Sequence, residues 1–181
     1  MIGKIGTVIR ERVFRFLHRD VIFKGSIHVS TNVKIRRRNC GRIELGNGVT
    51  LQKGVGLYVP GGVLTIGDNT SINDNNMIVC REEVRIGKGC AFGPNVLIYD
   101  HDHRFNSDGF AWDEFRTSPV IIEDGCWVGA NTIILRGTHI GEGSVVGASA
   151  VVTGFIPPHS IVTASRDLQI CPIEKRDYDQ Q

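Results

Sequence analysis

The sequence contains no C-x-x-C pair, no apolar run long enough to cross a bilayer, few aromatic side chains and almost no net charge. Each scarcity removes a class of protein. Five cysteines, Cys40, Cys80, Cys90, Cys126 and Cys171, make an odd set with no paired spacing; this argues against a disulfide framework or a zinc ribbon and leaves them as small buried residues. A formal charge of +2 offers no global field to attract nucleic acid. A membrane-spanning helix needs about 18 apolar residues in a row, and there is no such run. The N-terminus lacks the apolar core and small-residue cleavage site of a signal peptide, so the chain reads as cytoplasmic. At 181 residues it reads as one domain with room for a substantial core. Glycine, by contrast, is plentiful, with 22 residues, which points to many tight corners.

A second abundance is order. From Ile122 the chain reads in sixes as IEDGCW, VGANTI, ILRGTH, IGEGSV and VGASAV, so that Ile122, Val128, Ile134, Ile140, Val146 and Val152 lead. The fifth place holds only small residues: Cys126, Thr132, Thr138, Ser144 and Ala150. Ile66, Ile72 and Ile78 begin an earlier run, continued after a two-residue slip by Ile86, Phe92 and Ile98. A looser one includes Ile27, Val33, Ile43, Val49 and Val55. Six is neither the helical period nor the strand period of two. It fits a short strand plus a turn, with each lead residue aimed into a shared interior and the small residue filling a narrow inward place. The expected fold is therefore all-β, a parallel solenoid with rungs at the ~4.8 Å strand spacing.

The stretch IEDGCWVGANTIILRGTHIGEGSVVGASAVVTGFIPP, with its W-[IV]-G, G-A-x-x-V-V-T and P-P signatures, resembles the hexapeptide-repeat acyltransferases over roughly residues 21 to 160. That resemblance implies a left-handed parallel β-helix of about six coils, a homotrimer with active sites between subunits, and acetyl-CoA as acyl donor with no metal. Residues 21–164 would form the β-helix domain, with an external loop at 99–119. Residues 1–20 read as an amphipathic capping segment, in which Ile5, Ile9, Val13, Phe16 and Leu17 form one stripe, with Arg10, Arg12, Arg15 and Arg19 largely off it. Such a stripe can cover the open first coil or lie on a membrane, giving at most peripheral association at its inner face. The tail 165–181 has no six-residue beat.

The beat fails once, across VLIYDHDHRFNSDGFAWDEFRTSPVII, residues 96 to 122. Ile98 and Ile122 are 24 residues apart, a multiple of six, so the solenoid can resume in phase after an excursion. The gap contains His101, Asp102 and His103 in succession, with Trp112 further on. Three readings suit the imidazoles. Zinc ligation would need a third ligand from elsewhere, and none of His18, His28, His139 or His159 has the H-x-x-x-x-H spacing of the β-helical zinc carbonic anhydrases. A purely structural pair in a non-catalytic solenoid is the second reading. The third is general-base catalysis, in which a histidine near its ordinary pKa takes a proton from a sugar hydroxyl.

The acyltransferase resemblance favours the third and assigns residues. In similar acetyltransferases the base lies eight places after a P-N pair and 24 before the repeat tryptophan; from Pro94-Asn95 and from Trp127 both counts reach His103. By the same register Trp127 lies beside the acetyl group, and Asn73 contacts the acceptor hydroxyl. His101 and Asp102 assist on the acceptor side, with Asp102 or Asp100 available to orient the base. Ala130, Gly147, Ala148 and Thr153 line the coenzyme, the alanines through backbone N–H groups. The family's G-x-P-[AC]-[KR] segment is altered here, with Ala164 and Arg166 in its glycine and proline places; Arg166 is the candidate for the 3′-phosphate. The function implied is acetyl-CoA-dependent O-acetylation of a sugar or surface-polysaccharide precursor.

Overall fold

The structure, a computed structural model, describes residues 2–107 and 109–164, and side chains from Ile9 onward with the exceptions of 108 and 110. A left-handed parallel β-helix of about six turns follows one N-terminal helix. Three sheets form its faces. The first stacks the strands Ile22–Phe23, Arg42–Leu45, Val63–Ile66, Glu83–Ile86, Val120–Ile122, His139–Ile140 and Phe155–Ile156. The second stacks Ile27–Val29, Val49–Leu51, Ser71–Ile72, Ala91–Phe92, Trp127–Val128, Val145–Val146 and Ile161–Val162. The third stacks Lys34–Arg37, Gly56–Val59, Met77–Val79, Leu97–Tyr99, Ile133–Ile134 and Val151–Val152.

The hexad leads Ile66, Ile72, Ile78, Ile86, Phe92, Ile98, Ile122, Val128, Ile134, Ile140, Val146 and Val152 are all buried. Removing each such branched side chain from water contributes about 1.5–3 kcal/mol. The small fifth-place residues are buried too, and their polar atoms close the corners. The Thr132 hydroxyl donates to the Gly129 carbonyl at 2.8 Å, and Thr138 to the Leu135 carbonyl at 2.6 Å. At the corner between the first and second faces, Asn69, Gly89, Gly125 and Gly143 stack with φ between 57° and 68°. That left-handed conformation strains every other residue type at those places. Later coils keep a strict period, Trp127 pairing with Val145 eighteen residues on, while Thr50 pairs with Ser71 twenty-one on. Longer corners explain why the early repeat is looser in sequence; Val33 there is only half-buried.

Helix α1 (Ile2–Leu17) meets the first coil by a different face from the one its apolar stripe predicts. Ile9, Val13, Phe16 and Leu17 are exposed, and Phe14 is buried in their stead. Phe14 packs edge-on to Phe23, Glu11 accepts the Ile27 backbone N–H at 3.2 Å, and the Arg15 guanidinium donates to the Gly25 carbonyl. The open end of a solenoid presents unpaired backbone N–H and C=O groups. A face containing a carboxylate and a guanidinium satisfies them; an apolar stripe cannot. Arg37, one of three arginines in a row, is likewise structural, since it pairs with Asp20 at 2.5 Å and donates to the Gly41 carbonyl.

The wall is interrupted between the fourth and fifth coils. Tyr99 still pairs with Val79, so the excursion starts at Asp100, one residue later than expected. It is an antiparallel hairpin of His101–Asn106 and Gly109–Thr117, after which Val120 resumes the first face against Val84.

Candidate active site

The hairpin is rooted in a buried carboxylate. Val96, Ile98 and Asp100 all point inward and are buried, because alternate residues of a strand share a face. At the last of these places the solenoid holds an aspartate, whose oxygens accept the backbone N–H groups of Arg81 at 2.8 Å and Glu82 at 2.7 Å. The Asp100 carbonyl accepts from Ser118 at 2.9 Å, closing the neck of the hairpin. Its Oδ1 also lies 3.2 Å from Nδ1 of His101. Cys80, buried beside it, has its thiol pushed strongly up by burial and then by the Asp100 charge, so it remains protonated and offers no nucleophile.

The two histidines share a face, as alternation requires, but have different surroundings. The His101 side chain is only 11% exposed, held between Tyr99 and Phe115 with ring centroids 6.0 and 5.5 Å away. His103 is exposed, packs at 4.6 Å against Phe115, which lies opposite in the hairpin, and meets Trp112 edge-on at 6.4 Å. Its Nδ1 is 3.2 Å from the Ala111 carbonyl. A carbonyl only accepts, so in the neutral ring Nδ1 bears the hydrogen and Nε2 is the basic nitrogen. Asp102 pairs with Arg136 of the next coil, and Asp100 serves His101 and the neck. Among the described residues no three His, Cys, Asp or Glu side chains converge as a metal site.

Arg81, Phe115 and Arg136 were not legible as site residues. The Arg81 guanidinium lies 3.3 Å over the Phe115 ring, and burial lowers its pKa while Asp100 opposes the shift. Phe115 therefore sits among Arg81, His101 and His103, and holds the hairpin's histidine face against its neck. The spacing Val96–Ile98–Asp100 was the available signal for the buried carboxylate. Phe115 and Arg81 gave none, because hairpin register is not periodic with the coils.

The remaining candidates lie on the wall. Trp127 faces outward on the second face, 57% exposed, stacked between Ala91 and Val145. Asn73 is exposed at the corner between second and third faces, its side-chain oxygen accepting the Asp74 N–H at 2.8 Å. Ala130, Gly147 and Ala148 occupy the same corner in later coils. It is tightly packed: a Cβ on Gly93 would meet Ala130 N at 2.6 Å, and one on Gly129 would meet Ala148 N at 2.5 Å. Among the described residues the Ala130 and Ala148 N–H groups donate to no backbone carbonyl, so two successive rungs offer unspent donors, which suits an extended acyl-pantetheine arm. The Gly147 N–H is spent on Val162 at 2.8 Å. Thr153 is exposed at the next corner, between third and first faces, the same corner from which the hairpin leaves. One chain thus divides the candidates: Asn73 and the alanines at one corner, the hairpin and Thr153 at another, the third face between them. Arg166 and the tail lie outside the described residues. A cleft of about 480 Å3 on the first face, lined by residues including Arg85, Glu123, His139 and Glu142, contains none of the candidates.

Comparison with known proteins gives this arrangement a context. A family profile described as "Hexapeptide repeat of succinyl-transferase" matches residues 119–154, the strictest part of the repeat. The "Putative lipopolysaccharide biosynthesis O-acetyl transferase WbbJ" of Escherichia coli K12 is 37% identical over 69% of this chain and 69% of its own length. The galactoside O-acetyltransferase of the same organism is 32% identical over 65% of this chain and 58% of its own length. Among solved structures, a variant of AntD, an N-acyltransferase from Bacillus cereus in complex with dTDP and coenzyme A, superposes with a TM-score of 0.71 at 21% identity, covering 90% of this chain and 88% of that one. At that identity the likeness concerns the fold.

Proposed function

The chain belongs to the hexapeptide-repeat O-acetyltransferase family, and from that premise we propose that it transfers acetyl from acetyl-CoA to a sugar hydroxyl, with His103 as general base. Acetyl-CoA supplies the thioester; everything else is asked of this chain. Nε2 of His103 takes the hydroxyl proton as the oxygen bonds to the thioester carbon. Asn73 positions that hydroxyl, Trp127 walls the acetyl group, and the Ala130 N–H meets the oxygen on which negative charge develops. The proton then passes from His103 to the departing coenzyme thiolate, which completes the balance without an acyl-enzyme. The observation that carries the reading is the Nδ1 contact of His103 with the Ala111 carbonyl, because it leaves Nε2 basic on a projecting hairpin.

The acceptor is proposed to be a glycan or glycan precursor, on the analogy of the lipopolysaccharide and galactoside enzymes. The proposed assembly is a homotrimer with each site between subunits. Its support is the division of the candidates between two corners, together with the outward, exposed Val151 and Ile161, apolar surface that a neighbour would cover.

Coenzyme thiol release, followed with acetyl-CoA and a panel of sugars, tests the reaction; His103→Ala must lower it about a hundredfold or more while His101→Ala has a much smaller effect. The reverse pattern overturns the assignment of the base. Mixing impaired His103→Ala and Asn73→Ala chains tests the shared site. Partial recovery of activity in the mixed oligomer is expected, and no recovery rejects a site built between subunits.

A further inference from the structure

Helix α1 has two developed faces, and the solenoid uses one. Phe14, Glu11, Arg15 and His18 turn inward. On the other side Ile9, Val13, Phe16 and Leu17 are 57%, 50%, 64% and 68% exposed. At the helical period these four fall in one narrow strip. Arg10 borders it on one edge, Arg12 and Arg19 on the other, and the Arg19 guanidinium lies 4.1 Å over the Phe16 ring.

The acids that could neutralise this border are engaged elsewhere. Glu11 is paired with Arg15 at 2.9 Å and bonded to the Ile27 N–H. Asp20 is held by Arg37 at 2.5 Å. The outward surface of α1 is therefore apolar in the middle and cationic on both sides. Beside Arg10 a shallow cleft of about 170 Å3, lined also by polar His28, Ser30, Thr50 and Gln52 and by apolar Val29 and Leu51, adds space large enough for a phosphate. No helix among the described residues is long and apolar enough to cross a membrane.

We propose that this face of α1 docks the protein on an anionic phospholipid surface. The strip enters the boundary between headgroups and acyl chains, and the flanking guanidiniums meet the phosphates, which is how an interfacial helix divides its contacts. A partner surface that buried only the strip would leave the double arginine border unmatched; an anionic bilayer complements both parts at once. Docking needs neither acyl donor nor acceptor, so the proposal stands or falls separately from acetyl transfer.

The test is co-sedimentation of the full chain with phosphatidylcholine vesicles and with vesicles enriched in phosphatidylglycerol. Binding is expected to the second, weakened by salt, and little to the first. Phe16→Ser combined with Leu17→Ser should lower the partition coefficient about tenfold or more. Arg10→Gln and Arg12→Gln should each lower it about fivefold. Phe14 and Glu11 remain in all these variants, so the helix keeps its seat, and circular dichroism checks that it does. Absence of binding to the phosphatidylglycerol vesicles overturns the proposal, as does binding that the Phe16/Leu17 variant leaves intact. So does a change of oligomeric state in that variant without vesicles, which would assign the strip to a second copy of the chain.

Discussion

In the wall, Ile122, Ile140 and Ile156 lie one above another, each in a strand hydrogen-bonded to the coils on both sides or to the coil before it. In the hairpin, His103 meets both Phe115 and Trp112, and one strand pairs only with its return. The first arrangement is redundant: removing one rung contact leaves many others along the stack. The second is local, and a lone two-stranded hairpin is marginal by itself. Asp100 joins them, buried like a core residue but bonded like a loop anchor. Substitutions in the wall should therefore be read in stability, those at the hairpin tip in activity, and those at the neck in both.

His103→Ala is the sharpest separation of the two regions. Loss of the base should reduce kcat about 10²–10⁴-fold, while the thermal midpoint stays unchanged because the ring is exposed. A large drop in melting temperature would mean that the hairpin is part of the cooperative unit. Ile134→Ala is the converse. This fully buried lead residue should cost about 2–5 kcal/mol, measured by denaturant unfolding. Retention of wild-type stability would contradict a close-packed interior.

Asp100→Asn tests the joint. An amide oxygen at the Oδ2 place can still accept from both Arg81 and Glu82, but an NH2 group then replaces Oδ1 and sets a donor against the Arg81 N–H, 2.9 Å away. The expected cost is about 1–3 kcal/mol, accompanied by lower kcat, since His101 loses its carboxylate partner while the main-chain bond from Ser118 to the residue-100 carbonyl remains. A stability loss without any kinetic change would sever the proposed link between root and tip. Phe115→Leu is smaller and confined to the hairpin: about tenfold in kcat through misplacement of His103, with stability nearly unchanged. An effect on KM alone would instead put Phe115 against the acceptor.

The same contrast explains what could be read from the residues. Ile122 to Val152 announce their inward direction because every coil asks the same thing of the same phase, and Thr132, Thr138 and Ser144 fill the narrow places that phase leaves. The face by which α1 is seated was not legible, because apolar spacing points to the stripe while unpaired backbone groups at the first coil select Glu11 and Arg15. Asp100 and Asp102 look equivalent around His101, yet one falls on the inward phase and the other reaches Arg136. His103 was singled out by its distances from Pro94-Asn95 and Trp127 through resemblance. Its setting against Phe115 and Ala111 depends on hairpin register, which shifts between His103 and Phe105 and leaves no trace in spacing.

Within the wall itself the weakest expected effect is electrostatic. Glu123 accepts from His139 at 2.8 Å and from the Glu142 backbone N–H at 2.9 Å. The His139 contact first, and that N–H second, hold its carboxyl below the usual glutamate range. With the folded value below the unfolded one, the unfolded chain binds more protons in between. The contribution is thus complete above the unfolded value and is lost as pH falls through the folded one. Both partners are solvent-accessible, so the contribution is modest. Glu123→Gln should lower the melting temperature slightly near neutrality, and the gap from wild type should close on acidification through and below the usual glutamate range. A gap that stays constant over that range would show that the Glu123 carboxylate contributes through shape alone.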